Sequence, residues 1–377
     1  MTENKLVFLT ASEIRFGRGK ACEVAVAAKA FGARVMLVNG LTAARSNWLA
    51  DQLTPVARFS VGYEPDIAMI EAGVAAARAA KAQVIVAMGG GAVIDAGKAI
   101  AALVPARLPM MDHLEVVGRG LPLGADPLHF IAVPTTAGTG AEVTKNAVIG
   151  VPSARRKVSL RDNRMLPDVA IIDPALTDGT PKPVTLASGL DAVTQVIEPY
   201  VCTKANRLTD ALCRDAIPLG LAALVRLMET EDTAARDDLA WVSLCGGLAL
   251  ANAGLGAVHG LAGPIGGAAS APHGAVCGAL LPPVLAANAK LATDVAAARI
   301  SEVQNWISHA FGVETVQATT ALQNWSQHHG LPRLSQMGLQ EDELQSTAQA
   351  SLASASMRSN PVAVTERALI DILYAAY

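Results

Sequence analysis

Short apolar runs that end in turn residues alternate with helical patterns along the first half of the chain. Four runs are rich in β-branched residues and predict buried strands over residues 34–38, 83–88, 130–133 and 169–172. Apolar residues at helical spacing predict helices over residues 20–31, 66–80 and 93–103. Because apolar strands alternate with helices, we expect a parallel sheet that is covered on both faces.

Beyond Pro181 the β-branched runs stop and helical patterns follow one another. They predict helices over residues 186–201, 208–228, 234–253, 273–281 and 293–311. We therefore expect an N-terminal α/β domain with a parallel sheet over residues 1–180 and an all-α C-terminal domain over residues 181–377. A site between the two domains is the default expectation for an enzyme that acts on a small molecule.

Composition and charge narrow the class of protein. Of the 377 residues, 51% are hydrophobic and only 17% are charged, which excludes an intrinsically disordered chain. The net charge of −3 and the lack of a basic run argue against nucleic acid or a membrane surface as a partner. From Leu239 to Ala289 no residue is charged, but glycines, prolines and histidines interrupt this stretch. Buried helices of a globular domain explain it better than a transmembrane span.

Cysteine usage and the N-terminal residues indicate the compartment. The five cysteines form no C-x-x-C pair and are odd in number, which favours reduced thiols over a disulfide framework or a cysteine zinc site. Residues 1–20 lack the apolar segment of a secretory signal. We therefore expect a cytoplasmic protein.

Two loops that follow predicted strands have the residues of a phosphate or sugar site. The first is Gly89-Gly90-Gly91 before a helix, where the glycines and the helix N-terminus suit an anion. It is neither G-x-G-x-x-G nor a P-loop, so a tight turn without a ligand explains it equally well. The second, Pro134–Thr144, has hydroxyls and two glycines that can bind a ribose, a carboxamide or a phosphate. A plain Ser/Thr turn is the alternative.

A third set of residues has the chemistry of a metal site. Asp191 and Gln195 are four residues apart and share one helix face. His259 and His273 lie in the charge-free stretch. A carboxylate and two imidazoles in a dry interior are ligands for Zn²⁺ or Fe²⁺. One buried histidine alone would more simply be a satisfied core residue, but two histidines in such a stretch favour the metal.

Together these segments resemble the iron-containing (group III) alcohol dehydrogenases, in the superfamily of glycerol dehydrogenase and dehydroquinate synthase. The most specific segments are Gly89–Ala101, Pro134–Thr144, Leu166–Thr177, Ser188–Val201 and the pair His259…Pro272-His273-Gly274. The resemblance implies a Rossmann-like dinucleotide-binding domain over residues 1–180 and a helical domain over residues 181–377 that holds one divalent metal, Fe²⁺ or Zn²⁺. It implies NAD- or NADP-dependent interconversion of an alcohol and an aldehyde or ketone, and a homodimer.

The resemblance also assigns site residues. The positions matched to the NAD or NADP site are Gly89, Gly90, Gly91, Ala92, Asp95, Thr135, Thr136, Thr139, Thr144, Asn146, Lys157 and Leu176, with the pyrophosphate at residues 89–92. The positions matched to the metal ligands are Asp191, Gln195, His259 and His273, and no catalytic residue is assigned beyond them.

The residue that follows the second predicted strand bears on cofactor choice. An acidic residue there would bind the ribose 2′-hydroxyl and repel a 2′-phosphate. The chain has the uncharged Asn39 at this position. We therefore predict weak discrimination, with NADPH accepted beside NADH.

Three residues depart from the family pattern: Gln195 stands where a histidine ligand is usual, Gly263 where a further histidine is frequent, and Ala92 where serine is usual. An amide oxygen is a weaker ligand than imidazole, so Gln195 predicts a loosely held metal.

The alternatives to a metal-assisted alcohol dehydrogenase are a metal-independent reductase like the maleylacetate reductases, a dehydroquinate synthase-like lyase, and a cofactor-binding protein without catalysis. Maleylacetate reductases have asparagine at the position of Asp191, which this chain does not match.

Overall fold

The structure, a computed structural model, describes residues 6–269 and 271–377. The start of the predicted first domain, residues 1–5, lies outside them, as does Ser270. The described residues form two compact units. Residues 9–136 and 140–178 make one, here called the α/β unit, and residues 6–8, 137–139 and 179–377 make the helical unit. The assignment of cofactor binding to residues 1–180 and of metal binding to residues 181–377 stays a prediction.

The α/β unit contains every predicted strand and helix of the first half. The ends of each element lie within two residues of the prediction, except that the first helix begins four residues later than predicted, after a 3₁₀ turn. Its strands are β1 (Glu13–Phe16), β2 (Val35–Gly40), β3 (Ala57–Val61), β4 (Val84–Gly89), β5 (His129–Pro134), β6 (Asn146–Val151), β7 (Arg156–Arg161) and β8 (Val169–Ile172). Its helices are α1 (Val24–Phe31, after a 3₁₀ turn at Lys20–Glu23), α2 (Asn47–Leu53), α3 (Ile67–Ala79), α4 (Gly91–Leu103) and α5 (Met110–His113).

Six strands form one parallel sheet in the order β1-β8-β5-β4-β2-β3. From β2 the chain runs outward to β3 and then returns to the other side of β2 as β4, so the strand order reverses between β2 and β4. In open α/β sheets, ligands bind outside the carboxyl ends of the strands at such a reversal. Strands β6 and β7 form a separate antiparallel hairpin.

Successive residues of the inner strands lie on opposite faces of the sheet and pack into two apolar cores. Met36 and Val38 pack on the face that α3 and α4 cover, whereas Val35 and Leu37 pack on the face that α1 and α2 cover. All four side chains are at most 1% exposed. The predicted α/β fold with a parallel sheet covered on both faces is confirmed.

Strands β1, β3, β6 and β7 were not predicted, and in β1, β3 and β7 charged or polar residues interrupt the apolar run. Strands β1 and β3 are the two edges of the sheet. In β3 the exposed Arg58 and Ser60 alternate with less exposed neighbours. Strand β6 likewise alternates buried and half-buried residues, because only one of its faces packs on the core.

The helical unit is all-α over its described residues, as predicted. Its helices are α6 (Lys182–Val201), α7 (Arg207–Glu229), α8 (Thr233–Asn252), α9 (Ala257–Ala268), α10 (His273–Leu291), α11 (Asp294–Phe311), α12 (Ala318–His328), α13 (Leu344–Leu352) and α14 (Glu366–Ala376).

Helix α10 differs from the prediction, which ended it at Leu281. The helix continues through Pro282 and Pro283 to Leu291. Both prolines are buried, so packing against neighbouring helices outweighs the loss of two backbone donors. Helix α10 has the length and apolarity of a membrane span, but most of it is buried inside the unit.

Glycines let α10 lie close against α6. A Cβ on Gly274 would lie 2.5 Å from the carbonyl oxygen of Ala187, and one on Gly278 would lie 2.7 Å from Leu190 Cδ1. Any larger residue at these positions would push the two helices apart. The close approach places the first turn of α10 beside the middle of α6.

A buried lysine joins α4 to the segment before β6. The Lys98 ammonium donates to the Ala141 carbonyl (2.7 Å), the Thr144 hydroxyl (3.0 Å) and the Asn146 carbonyl (2.8 Å). The side chain is 1% exposed, and burial lowers the pKa of Lys98 to about 8. Burial also raises the pKa of the neighbouring Glu142 to about 7.

Replacing this lysine should destabilise the fold. Lys98→Met removes the cost of burying a charge but takes one donor from each of three acceptors of the 141–146 segment, of which the Ala141 carbonyl keeps the Thr144 hydroxyl. Since an unsatisfied buried polar group costs about 1–3 kcal/mol, we expect a net loss of about 3 kcal/mol in the free energy of unfolding. Urea denaturation followed by circular dichroism measures it, with the exposed Lys29→Met of α1 as the control. Equal stability of both variants would show that the three hydrogen bonds contribute nothing net.

Candidate active site

Four side chains of the helical unit converge on one point. A carboxylate oxygen of Asp191, one ring nitrogen each of His259 and His273, and Cys277 Sγ all lie within 4.8 Å of one another. Asp191 lies in the middle of α6, His259 in the first turn of α9, and His273 and Cys277 one turn apart on α10. Three of the four predicted metal ligands are therefore brought together, and a cysteine joins them.

The His259 ring is held by a second carboxylate. Its Nδ1 lies 2.6 Å from Glu198 Oε2, while Glu198 Oε1 accepts from the Val258 backbone N–H at 2.7 Å. With Nδ1 donating to Glu198, Nε2 is left as the nitrogen that faces Asp191. Such an outer carboxylate fixes both the tautomer and the orientation of a metal-binding histidine.

Asp191 is a buried carboxylate whose negative charge requires a positively charged partner. Its side chain is 1% exposed, and Oδ1 has no hydrogen-bond donor among the described residues. That oxygen lies 3.6 Å from His259 Nε2 and 3.9 Å from His273 Nε2, too far for hydrogen bonds. Distances of this size suit atoms that bind one ion between them, so these residues fit a divalent metal.

The charges of the clustered side chains also suit a divalent metal. Burial opposes a charged imidazole, but the contacts with Cys277, Asp191 and Glu198 raise the pKa of His259 well above its usual value. The neighbouring Cys277 has the largest effect on His273, and the pKa of His273 rises to about 9 although burial opposes the rise. Burial would raise the pKa of Asp191, yet the two imidazoles hold it below its usual value. The cluster as a whole therefore attracts positive charge.

Gln195, the fourth predicted ligand, binds a backbone carbonyl through its amide nitrogen. Its Nε2 donates to the carbonyl oxygen of Gly138 at 2.7 Å, and the Gly138 N–H donates to Ser243 Oγ at 2.9 Å. Gly138 belongs to the short segment 137–139 of the helical unit. The role of Gln195 as a metal ligand stays a prediction.

The glycine turn and its neighbours lie at the carboxyl edge of the sheet. In the register of the sheet, Asn39 of β2 is opposite Met88 of β4, and Gly89 is opposite Pro134. The N–H of Thr135 donates to the carbonyl of Gly89 at 2.9 Å. A Cβ on Gly90 would lie 3.3 Å from Thr136 Oγ1. The predicted pyrophosphate loop thus lies beside the point at which the strand order reverses.

The remaining predicted cofactor residues are more dispersed. Asp95 Oδ2 accepts from the Val148 N–H, and Thr144 and Asn146 both accept from Lys98. Lys157 pairs with Glu64. Leu176 packs on the core under α1, and Thr139 belongs to the helical unit. Their assignment to the cofactor stays a prediction.

An arginine accompanies Asn39 at the end of β2. Arg58 of β3 lies with Nε 3.5 Å from Asn39 Oδ1, and its Nη atoms contact Asn47 Oδ1 (3.0 Å) and Ser46 Oγ (3.1 Å). A guanidinium beside the ribose position is the usual partner of a 2′-phosphate. Asn39 itself donates to the Gly40 carbonyl at 2.7 Å.

Glu198, Cys277 and Arg58 were missed by the sequence analysis. Glu198 is seven residues after Asp191 and Cys277 is four after His273, so helical spacing could have found both. Arg58 could not have been found in this way because β3, the strand that carries it, was not predicted.

Comparison with known proteins agrees with this geometry. Residues 11–174 match the family "Iron-containing alcohol dehydrogenase", and residues 185–377 match "Fe-containing alcohol dehydrogenase family, C-terminal". A probable alcohol dehydrogenase of Salmonella typhimurium, EutG, is 35% identical over 317 residues, which cover 83% of this chain and 77% of that protein.

Solved structures share the whole fold. A 1,3-propanediol oxidoreductase superposes with a TM-score of 0.87 at 28% identity, over 99% of this chain and 100% of the other. A sulfoacetaldehyde reductase of Bifidobacterium kashiwanohense, solved with NAD⁺, superposes with a TM-score of 0.84 at 25% identity, over 99% of this chain and 98% of the other. The chain belongs to the iron-containing alcohol dehydrogenase family and is an oxidoreductase.

Proposed function

We propose that the protein interconverts a small alcohol and its aldehyde or ketone with NAD(H) or NADP(H), assisted by one divalent metal. The observation that carries this proposal is the cluster of Asp191, His259 and His273 around a buried carboxylate oxygen that receives no hydrogen bond from residues 6–269 and 271–377. A divalent metal held there supplies a Lewis acid for the substrate oxygen, and the nicotinamide carries the hydride.

The residues of the helical unit orient the reacting groups and exclude water from them. Glu198 fixes the His259 ring through a short contact from Nδ1 to Oε2. Asp191 is nearly inaccessible, whereas the His273 side chain is 32% exposed, so the cluster is open to solvent on the His273 side. We infer that substrate reaches the cluster from that side. Low exposure elsewhere keeps water away from the ligands and strengthens their electrostatic effect on the substrate.

The α/β unit is proposed to hold the dinucleotide at the carboxyl edge of its sheet. The N-terminus of α4 at Gly91 supplies backbone donors for the pyrophosphate, and the hydroxyls of Thr135 and Thr136 lie beside it. Arg58 next to Asn39 supports the use of NADPH. A structural relative bound to NAD⁺ supports the same cofactor class.

The substrate is proposed to be small. The relatives named above are a probable alcohol dehydrogenase, a 1,3-propanediol oxidoreductase and a sulfoacetaldehyde reductase. Gly263 lies four residues after His259 on the same helix and has no side chain. The homodimer and the cytoplasmic location stay predictions.

Metal dependence is the first test of the proposal. The purified protein should hold close to one divalent metal per chain, lose turnover of NAD(P)H with an aldehyde panel after chelation, and regain it with Zn²⁺ or Fe²⁺. Asp191→Asn should lower both metal content and turnover, the latter about 100-fold or more, because it removes the buried anionic ligand. Asp371→Asn, an exposed carboxylate of α14, is the matched control. Full turnover in metal-free protein would replace this proposal with a metal-independent reductase.

The glycine turn is tested by enlarging one residue. A Cβ at Gly90 already meets Thr136 at 3.3 Å, so Gly90→Val should fill the space proposed for the pyrophosphate and weaken NAD(P)H binding at least tenfold. Fluorescence titration with NADH measures the affinity, and circular dichroism checks the fold. Gly124→Val is the control, because a Cβ there meets nothing within 4 Å. Unchanged affinity in a folded Gly90→Val protein would refute the pyrophosphate assignment.

Cofactor choice is tested at Arg58. Arg58→Gln should raise the KM for NADPH about tenfold, the effect of one lost charge-assisted hydrogen bond, and change the KM for NADH less than threefold. Arg107→Gln, an exposed arginine of the same unit, controls for net charge. Parallel changes in both KM values would show that Arg58 supports the fold rather than the 2′-phosphate.

A further inference from the structure

The donors around the proposed metal include a thiol that the family pattern does not supply. Cys277 Sγ lies 3.6 Å from His273 Nε2 and 3.8 Å from His259 Nε2. We propose that Cys277, and not Gln195, is the fourth ligand of the metal, so that the chain holds Zn²⁺ with a carboxylate, two imidazoles and a thiolate. This inference rests on the proposed function, because it assumes a metal at Asp191, His259 and His273.

The distances agree with coordination of one ion. Zinc binds sulfur at about 2.3 Å and imidazole nitrogen at about 2.0–2.1 Å, so a tetrahedral site separates the two donors by about 3.6 Å. The two measured sulfur–nitrogen distances lie within 0.2 Å of that value.

Two glycines beside Cys277 on α10 let its thiol lie close to α6. Gly274 and Gly278, one on each side of it along α10, let the helix approach α6 until a Cβ on either would overlap α6 atoms. Cys277 is completely buried, and its neighbour across the helix interface is Asp191. A cysteine that only fills an apolar core is surrounded by apolar side chains, whereas Cys277 lies beside two imidazole rings and a carboxylate.

Gln195 is engaged by a different partner. A carbonyl oxygen accepts hydrogen bonds, so the contact with Gly138 O requires the amide nitrogen of Gln195 to face the 137–139 segment. The amide nitrogen at the usual histidine position thus anchors a loop, and Cys277 of α10 is the donor that we assign to the fourth ligand position. This assignment predicts tight metal binding, whereas Gln195 as the fourth ligand predicts a loose site.

The other buried cysteines of the described residues have surroundings that differ from those of Cys277. Burial raises the pKa of Cys202 to about 11, that of Cys245 to about 12 and that of Cys213 well above its usual value. Their surroundings disfavour a thiolate, so they serve as structural controls. A soft thiolate donor selects Zn²⁺ over Fe²⁺ or Mg²⁺, which gives the inference a consequence for metal identity.

The test is spectroscopic and needs no turnover. The full-length protein is stripped with a chelator and reloaded with Co²⁺, which gives a near-ultraviolet charge-transfer band only if a thiolate binds it. We expect the band in the wild type and in Cys213→Ser, and its loss in Cys277→Ser. X-ray absorption of the zinc-loaded wild type should find one sulfur at about 2.3 Å from the metal.

Metal affinity separates the two candidate ligands. Competition with a coloured zinc chelator should show at least a tenfold weaker affinity for Cys277→Ser, and less than a threefold change for Gln195→Ala. Co²⁺ bound without the band, or weaker binding in Gln195→Ala alone, would overturn the role of Cys277 and leave the proposed function standing. Binding of neither Co²⁺ nor Zn²⁺ by the folded wild type would overturn both. Circular dichroism confirms that each variant is folded.

Discussion

A buried carboxylate oxygen to which no described residue donates a hydrogen bond, Asp191 Oδ1, is the constraint on which the rest of the helical unit depends. An isolated buried anion costs several kcal/mol, so an adjacent positive charge is required. Protonated imidazoles at His259 and His273 supply such a charge partially, and a divalent cation supplies it in full at the same point. The surrounding elements serve this requirement: Glu198 aims one ring at the oxygen, and the first turn of α10 brings the other ring and a thiol.

The spacing of the helices follows from residues that have almost no side chain. Metal sites tolerate deviations of only about 0.2 Å in ligand distance, so the separation of α6 and α10 has to be set firmly. Gly274 sets it by contact with the backbone of α6 at Ala187, and Gly278 by contact with Leu190. Because the limits are backbone and core atoms rather than flexible side-chain ends, the separation cannot relax easily. The glycines of the charge-free stretch therefore determine chemistry as well as packing.

Sequence reasoning found the features that repeat locally and missed those that depend on distant neighbours. The inner strands β2, β4, β5 and β8 were predicted because both of their faces are buried, which leaves a continuous apolar run. The edge strand β3 was not, since one face meets solvent. At the site, His259 and His273 stood out in a stretch without charges, and Asp191 stood out with Gln195 on one helix face. Glu198 and Cys277 were within reach of the same helical spacing. The contact between Gln195 and Gly138 joins residues 57 positions apart and had no local signal.

With Cys277 as the proposed fourth ligand, a thiolate in place of the usual imidazole changes the charge of the centre as well as its geometry. One carboxylate and one thiolate cancel the charge of a divalent cation, whereas one carboxylate with three neutral imidazoles leaves a net charge of +1 on the metal and its ligands. The carboxylate of Glu198, 2.6 Å from His259 Nδ1, adds one further negative charge in either case. A thiolate ligand therefore lowers the charge of the centre by one unit and weakens its pull on a substrate oxygen, since electrostatic stabilisation follows the net charge at short range. Catalysis at such a centre would depend more on the orientation of the substrate and on exclusion of water, and the helical unit supplies both through Glu198, the buried helices and the exposed side at His273.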